Sequence, residues 1–289
     1  MDIRAIAMGL TFAVIWSSAF SSARLIVADA SPLAALSLRF FISGFIAIGI
    51  ARLMGQHWNL SAQQWRATIV FGLCQNTIYL GANFYAMQTV QASLASIIAS
   101  SMPLLVALAG WVFLKQRLAP MGVIGLFGGL VGVLIIMVSR VDAGVDLFGV
   151  VLCGLGAASL AAATLTLRNA FQGENMMMII GLQMIVGALG LTAISAALET
   201  VTVTVTPSLI LAFAYTTIFP GLIAMWIWFA LVARIGTTRA ATFHFLNPFF
   251  GVAIAAALLG EQLGWRDLLG VAVITAGIVA VQLSKQTET

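Results

Sequence analysis

Amide and phenol side chains recur along one helical face of an apolar stretch near residue 80. Asn76, Tyr79 and Asn83 are spaced i, i+3 and i+7, which places them on one side of an α-helix. Polar groups in an apolar setting are costly unless they face protein or a water-filled cavity. Two amides on one face require more hydrogen-bond partners than helix packing normally supplies. These residues therefore predict a cavity that can hydrogen-bond a small molecule.

The next apolar stretch carries a row of hydroxyl groups. Ser93, Ser96 and Ser100 share a helical face, and Met102 follows them. Serines at this spacing either line a cavity or let two helices approach closely and hydrogen-bond each other, and both interpretations remain open.

A third polar set occurs late in the chain, at Thr238, His244 and Asn247. His244 is the one histidine within an apolar stretch. It either joins two helices by a hydrogen bond or contacts the bound molecule, where an imidazole can also take up a proton.

The tryptophans divide by position. Four lie near the ends of apolar stretches, where anchoring at a membrane interface is the usual role: Trp58, Trp65, Trp111 and Trp265. Trp16, Trp226 and Trp228 lie in the middle. Positions 226 and 228 are about 200° apart around a helix, so at most one of them faces the cavity, and Trp226 is the one we assign to it.

The resulting candidate site combines aromatic walls with a few polar groups, as a site for small amphipathic molecules requires. The predicted substrate-binding residues are Trp16, Asn76, Tyr79, Asn83, Ser96, Ser100, Met102, Trp226, His244 and Asn247. Near the ends of their stretches, Arg24 and Arg39 are expected to pair with Asp29 rather than to contact this site.

Several kinds of chemistry lack the residues that they need. No pair of acids, metal-ligand cluster or nucleophile with a base occurs in the middle of an apolar stretch, so no catalytic residue, metal or cofactor is predicted. A phosphate loop ending in Gly-Lys-Ser or Gly-Lys-Thr is missing, which argues against ATP as the driving force. All nine acids lie near the ends of stretches, so the sequence does not support a proton relay.

The composition explains where such a site must sit. Of 289 residues, 62% are hydrophobic and 8% charged, whereas a soluble domain has about 25% charged residues. This excludes a soluble enzyme and a nucleic-acid binder, and leaves membrane lipid and a small-molecule substrate as the expected partners. Cys74 and Cys153 lie in apolar stretches without a metal-binding pattern, and we expect both to be buried thiols.

Charges, prolines and polar clusters divide the chain into ten stretches of about the length that crosses a bilayer. They cover residues 3–27, 32–54, 66–88, 92–115, 120–138, 146–168, 176–198, 207–233, 238–259 and 265–284. With the N-terminus inside, nine Lys and Arg residues fall on the inner side and four on the outer side. The positive-inside rule then places both termini in the cytoplasm of a multi-pass inner-membrane protein.

The chain also matches itself. A shift of 145 positions aligns Pro103 with Pro248, Gly125 with Gly270 and Gly132 with Gly277. We therefore predict an all-α integral membrane protein with two five-helix repeats, residues 1–140 and 141–289. Because five is odd, the second repeat must enter the membrane from the opposite side, giving an inverted-topology pair.

These features carry a family resemblance. The chain resembles the EamA-type branch of the drug/metabolite transporter superfamily, and within it the YddG-type aromatic amino-acid exporters. The resemblance rests on the 5+5 duplication and on Trp16-Ser17-Ser18, Asn247-Pro248-Phe249 and Leu259-Gly260-Glu261-Gln262-Leu263. The first repeat departs from the pattern, with Leu114-Lys115-Gln116-Arg117 where an acid often stands.

The resemblance implies broad export of amino acids and related metabolites by alternating access. A multidrug or nucleotide-sugar-type carrier is the alternative, and a passive channel or an enzyme is less favoured.

Prolines suggest how such a protein would move. Pro103, Pro220 and Pro248 each remove a backbone hydrogen bond from the middle of a helix and should bend it. We predict that these bends are hinges. The glycines of the fifth stretch, Gly125 to Gly132, instead suit close helix packing away from the pathway.

Overall fold

The ten apolar stretches form helices, which we number α1 to α10 in chain order. The computed structural model describes residues 3–112, 115, 119–142, 144–166, 175–235, 240, 242–262 and 264–286. Six stretches are single α-helices: Ile3–Asp29 (α1), Pro32–Leu53 (α2), Pro120–Asp142 (α5), Leu147–Thr166 (α6), Met176–Leu198 (α7) and Trp265–Gln286 (α10). Together with the four interrupted helices described next, these six helices confirm the predicted all-helical fold of ten segments.

The remaining four helices are interrupted in the middle. A π-helical stretch lies within α3 (Ala62–Phe71, Gly72–Leu80, Gly81–Ala86) and within α8 (Pro207–Ile218, Phe219–Ile223, Ala224–Ile235). Two pieces make up α4 (Ala92–Ser100, Met102–Val112), and α9 is a 3₁₀ turn followed by an α-helix (Thr242–Leu246, Asn247–Leu259).

The interruptions fall at positions that the internal repeat aligns. Met102 and Asn247 begin the second pieces of α4 and α9, and they are 145 residues apart. The π-helical residues of α8 likewise fall within the stretch aligned with those of α3. A proline accompanies the breaks in α4, α8 and α9, but none accompanies the π-helical stretch of α3.

Seven helices, counted within the described residues, are long and apolar enough to cross a membrane. Their outer faces expose large apolar side chains, for example Ile124 at 73% and Leu134 at 60% exposure on α5. Soluble proteins avoid such continuous apolar surfaces, so these faces are surfaces for lipid. The chain is a multi-pass membrane protein.

Aligned helices of the two repeats pack on each other. A Cβ on Gly125 of α5 would lie 2.7 Å from the carbonyl oxygen of Gly277 on α10, and one on Gly132 would lie 3.0 Å from that of Gly270. The contacts run in opposite order along the chain, so α5 and α10 are antiparallel. They are also reciprocal, since Gly125 aligns with Gly270 and Gly132 with Gly277, which is typical of a two-fold relation.

A second aligned pair, α2 and α7, packs in the same antiparallel way. Ser37 donates to the Ala188 carbonyl at 2.9 Å, and Gly44 further along α2 meets Gly181 earlier in α7. Close backbone approach at small residues is how membrane helices associate. The remaining helices pack between these pairs, with α3, α4, α8 and α9 around α1 and α6.

The turns at residues 30–31, 87–91, 144–146, 199–206 and 260–262 form what we call the acidic end. There Glu199 accepts hydrogen bonds from two N–H groups in the first turn of α2 at 2.9 and 3.0 Å. Glu261 accepts two from the start of α4 at 2.8 and 3.0 Å. A carboxylate at a helix N-terminus satisfies free donors and complements the helix dipole. Each acid thus ties one repeat to the other.

Further contacts link the turns at the acidic end. Ala30 and Val203 form a short antiparallel bridge. The Thr89 hydroxyl donates to Asp146 at 2.6 Å, and this bond holds the pKa of the Asp146 carboxyl below its usual value. We call the opposite end, with turn residues 54–61, the basic end. There Gln56, an uncharged side chain, accepts from the start of α7 at 3.0 Å.

Candidate functional site

A larger and a smaller cavity lie side by side among the described residues, and the larger one lies between α1, α2, α3, α7 and α8. Trp16, Asn76, Tyr79 and Asn83, which the sequence predicts to be binding residues, all line it. Pro220, a predicted hinge, lines it as well. The π-helical stretch of α3 supplies Asn76 and Tyr79. A wider helical turn changes which side chains face inward and recurs at functional sites.

The amides in the larger cavity are only partly hydrogen-bonded within the protein. Asn76 donates to the Gln183 carbonyl of α7 at 3.0 Å, and Asn83 donates to the Tyr79 carbonyl at 2.8 Å. The side-chain oxygens of Asn83 and Gln183 are buried, and among the described residues they have no donor. Because buried polar atoms are normally satisfied, these oxygens are available to a bound molecule.

The smaller cavity adjoins the larger one, and Trp16 and Tyr79 line both. Its other predicted residues come from the broken helices: Ser100, Met102, Pro103, His244 and Asn247. Asn247 donates to Nδ1 of His244 at 2.9 Å, while its own side-chain oxygen has no partner in the described part of the chain.

His244 also has aromatic neighbours. Its ring lies 4.8 Å from that of Trp228 and 5.3 Å from that of Phe12, in edge-to-face contacts. The hydrogen bond of His244 to Asn247 stays within α9 and joins no second helix. The ring packs against α1 and α8 and also lines a cavity.

Three predicted residues lie away from both cavities. Trp226 is 57% exposed on the outer face of α8, and Trp228 takes the inward position instead. Helical spacing gives the angle between the two tryptophans but not which one points inward.

Ser96 is fully buried against Gly251 of α9, so of the two interpretations of the serine row, helix contact describes this position. Pro248 is buried at the break in α9 without reaching either cavity.

The structure also differs from the predicted pairing of Asp29 and from the predicted burial of both cysteines. Arg24 donates to the Met87 carbonyl, and Asp29 accepts from Thr206 at 2.5 Å, so the predicted pairing of Asp29 with Arg24 and Arg39 is not present. Cys153 is fully buried as expected, whereas Cys74 is half-buried. Thr238, Gln116 and Arg117 lie outside the described residues.

Three polar residues of the larger cavity are absent from the predicted set: Gln75, Gln183 and Thr216. Arg39, which the sequence predicts to pair with Asp29 rather than to contact the site, lines this cavity as well. Arg39 and Gln183 are each the eighth residue of their helices, α2 and α7, and lie 144 positions apart, one less than the shift that relates Pro103 to Pro248. A polar residue at the same depth in both repeats is a signal that could have identified them. Neither belongs to a polar stripe, which is why the periodicity gave no sign of them.

The lining of the two cavities suits the binding of a small molecule. Among the described residues, no three His, Cys, Asp or Glu side chains are grouped to hold a metal ion. The polar atoms of the two cavities are amides, hydroxyls, one imidazole and one guanidinium, embedded in aromatic and aliphatic walls. Such a set can hold a small molecule that has a polar head and an apolar body.

Comparison with known proteins agrees with the two-repeat organisation. The model of the EamA-like transporter family matches the chain twice, over residues 3–138 and 147–283. The uncharacterized transporter sll0355 of Synechocystis is 26% identical over 94% of this chain and 88% of its own length. The uncharacterized transporter YvbV of Bacillus subtilis is 24% identical over 98% and 93%.

A probable amino-acid metabolite efflux pump of Salmonella typhimurium is 37% identical, over only 26% of this chain and 25% of its own length. One solved crystal structure covers all of both chains with a TM-score of 0.69 at 19% identity, a likeness that shows the fold alone.

Proposed function

Because the chain belongs to the EamA-like transporter family, we propose that it is a secondary transporter that exports amino acids and related small metabolites by alternating access. The observation that carries the proposal is the pair of adjoining cavities, lined by buried amides and aromatic rings inside a membrane bundle. The partial relative named as a probable amino-acid metabolite efflux pump supports this class of substrate.

Alternating access requires two related ways of opening the same site. The antiparallel packing of α5 on α10 and of α2 on α7 supports a second repeat, residues 141–289, inserted upside down relative to residues 1–140. Breaks at aligned positions in α4 and α9 then give each half of the bundle an equivalent point at which to bend. We further propose that the protein lies in the inner membrane with both termini in the cytoplasm.

The test is transport by the purified protein in liposomes loaded with one labelled amino acid at a time. We expect efflux that saturates with concentration and accelerates when the same amino acid is present outside, as a carrier with one alternating site requires. Flux that rises linearly and shows no exchange would indicate a channel and contradict the proposal. Unchanged kinetics in each of Tyr79→Ala, Asn83→Ala and His244→Ala would remove the cavities from the pathway.

A further inference from the structure

Arg39 places a positive charge inside the larger cavity. It is 4% exposed, and it is the single charged residue among the described side chains that line this space. A cation within a membrane span is costly and is normally compensated by a partner.

One contact of Arg39 is explained by the proline of α8. Nη1 donates to the carbonyl of Thr216 at 3.2 Å. Thr216 lies four residues before Pro220, which has no N–H to give to that carbonyl. This bond occupies one donor of the guanidinium and fixes the side chain against α8.

The rest of the guanidinium has aromatic neighbours and no negative charge. Its carbon lies 4.4 Å from the centre of the Phe40 ring and 5.9 Å from that of Phe84. Its Nε has no hydrogen-bond partner, and no carboxylate in the described part of the chain pairs with it. Asp29, the acid expected to pair with it, instead accepts a hydrogen bond from Thr206 at the acidic end.

We propose that Arg39 binds the carboxylate of the transported molecule, an inference that rests on the proposed transport function and specifies its substrate class. A guanidinium forms strong, charge-assisted hydrogen bonds with a carboxylate. The unpartnered oxygens of Asn83 and Gln183 line the same cavity and can accept from an ammonium group. Trp16 and Phe20 supply an apolar wall for the remainder of the molecule.

The proposal makes this site selective. Molecules with a carboxylate, including zwitterionic amino acids, compensate the buried charge of Arg39. Amines and cationic drugs without a carboxylate leave it uncompensated and add a second positive charge. The residue at the same helix position in the other repeat, Gln183, carries no charge, so the head-group preference arises from one repeat alone.

The experiment compares three compounds that share one ring: phenylalanine, phenylalanine amide and 3-phenylpropionate. Transport in liposomes and thermal stabilisation in detergent are measured for the wild type, Arg39→Gln, Arg39→Lys and the control Arg24→Gln. Glutamine keeps an N–H donor for the Thr216 carbonyl. Arg24 donates to a backbone carbonyl but lines neither cavity.

We expect Arg39→Gln to weaken binding of both carboxylates by about tenfold or more, so that the preference over the amide disappears. Arg39→Lys should retain part of it, and Arg24→Gln all of it. Equal preference for carboxylates in Arg39→Gln and the wild type would overturn the proposal. If no amino acid is transported but 3-phenylpropionate stabilises the wild type and not Arg39→Gln, the transport proposal fails and the assignment of Arg39 stands.

Discussion

Polar side chains within the spans fall into two groups according to what they bind. Ser37 and Thr77 donate to carbonyls of α7, which fastens neighbouring helices together. Asn83, Gln183 and Arg39 each keep a buried polar atom without a partner among the described residues, and all three line the larger cavity. Ser21, Ser93 and Ser96 also have a hydroxyl without a partner among the described residues, but they line neither cavity. The expected pathway is therefore marked by unpartnered polar atoms at a cavity, rather than by polarity as such.

The two tryptophans of the candidate set provide a matched test at the residue scale. Trp16 lines both cavities, and Trp226 is exposed on the outer face of α8. We expect Trp16→Leu to raise the KM for export by about tenfold, because an aromatic wall of the site is lost. Trp226→Leu replaces one lipid-facing apolar group by another and should leave KM unchanged.

Initial rates of efflux over a range of internal concentrations measure both values, with thermal stability in detergent as the check on folding. An equal effect of the two substitutions on KM would show that the cavities do not bind the substrate.

At the scale of elements, helix positions could be predicted and helix faces could not. Apolar length and end signals located all ten segments, with α3 beginning earlier than expected because Ser61 forms a capping box with Gln64. The face of each helix that points toward the cavity is harder to predict, because a helix that meets lipid on one side and protein on the other is apolar all round. For this reason the sequence predicts Trp226 in the cavity and Arg39 in a pair with Asp29, whereas the structure has Trp226 on the outer face and Arg39 in the cavity.

The π-helical stretch of α3 lay beyond sequence reasoning for another reason. Nothing between Gly72 and Leu80 breaks a helix as a proline does, so local propensity gave no signal. Its position is set by tertiary contacts, such as Asn76 and Thr77 bonding to carbonyls of α7. The aligned stretch of α8 contains Pro220, which the sequence did identify.

The broken helices lead to a prediction about movement. Pro103 and Pro248 each stand second in the later piece of their helix, so the break is already present in this state. We expect Pro103→Ala and Pro248→Ala to lower the maximal rate of exchange, because a restored hydrogen bond stiffens the point that must bend. The free energy of unfolding should change by no more than about 1 kcal/mol.

Pro207→Ala is the control for this pair. Pro207 is in the first turn of α8, where a proline interrupts no helical hydrogen bond. Exchange rates and melting temperatures of all three variants are compared with the wild type. Unchanged exchange in both Pro103→Ala and Pro248→Ala would reduce these breaks to static features of the fold.

At the scale of the whole molecule, the two repeats match in backbone and differ in charge. The breaks and the helix pairs follow the repeat. By contrast, the charged Arg39 holds the helix position that the neutral Gln183 holds in the other repeat, and the capping acids Glu199 and Glu261 both lie at the acidic end. The equivalent cap at the basic end is the neutral Gln56. The backbone therefore follows the repeat, while the two ends of the bundle differ in charge.

The proposed orientation gives a last prediction, that the acidic end faces outward. Gln63 near the basic end and Gln88 at the acidic end are both exposed, so a cysteine at either position should react with a maleimide. In a chain with Cys74 and Cys153 replaced by alanine, we expect a membrane-impermeant maleimide to label Gln88→Cys in intact cells. Gln63→Cys should react only after the membrane is opened, because the Lys and Arg excess holds that end inside.

Labelling of Gln63→Cys alone in intact cells would show the opposite orientation, and labelling of both cysteines would contradict the ten-span topology.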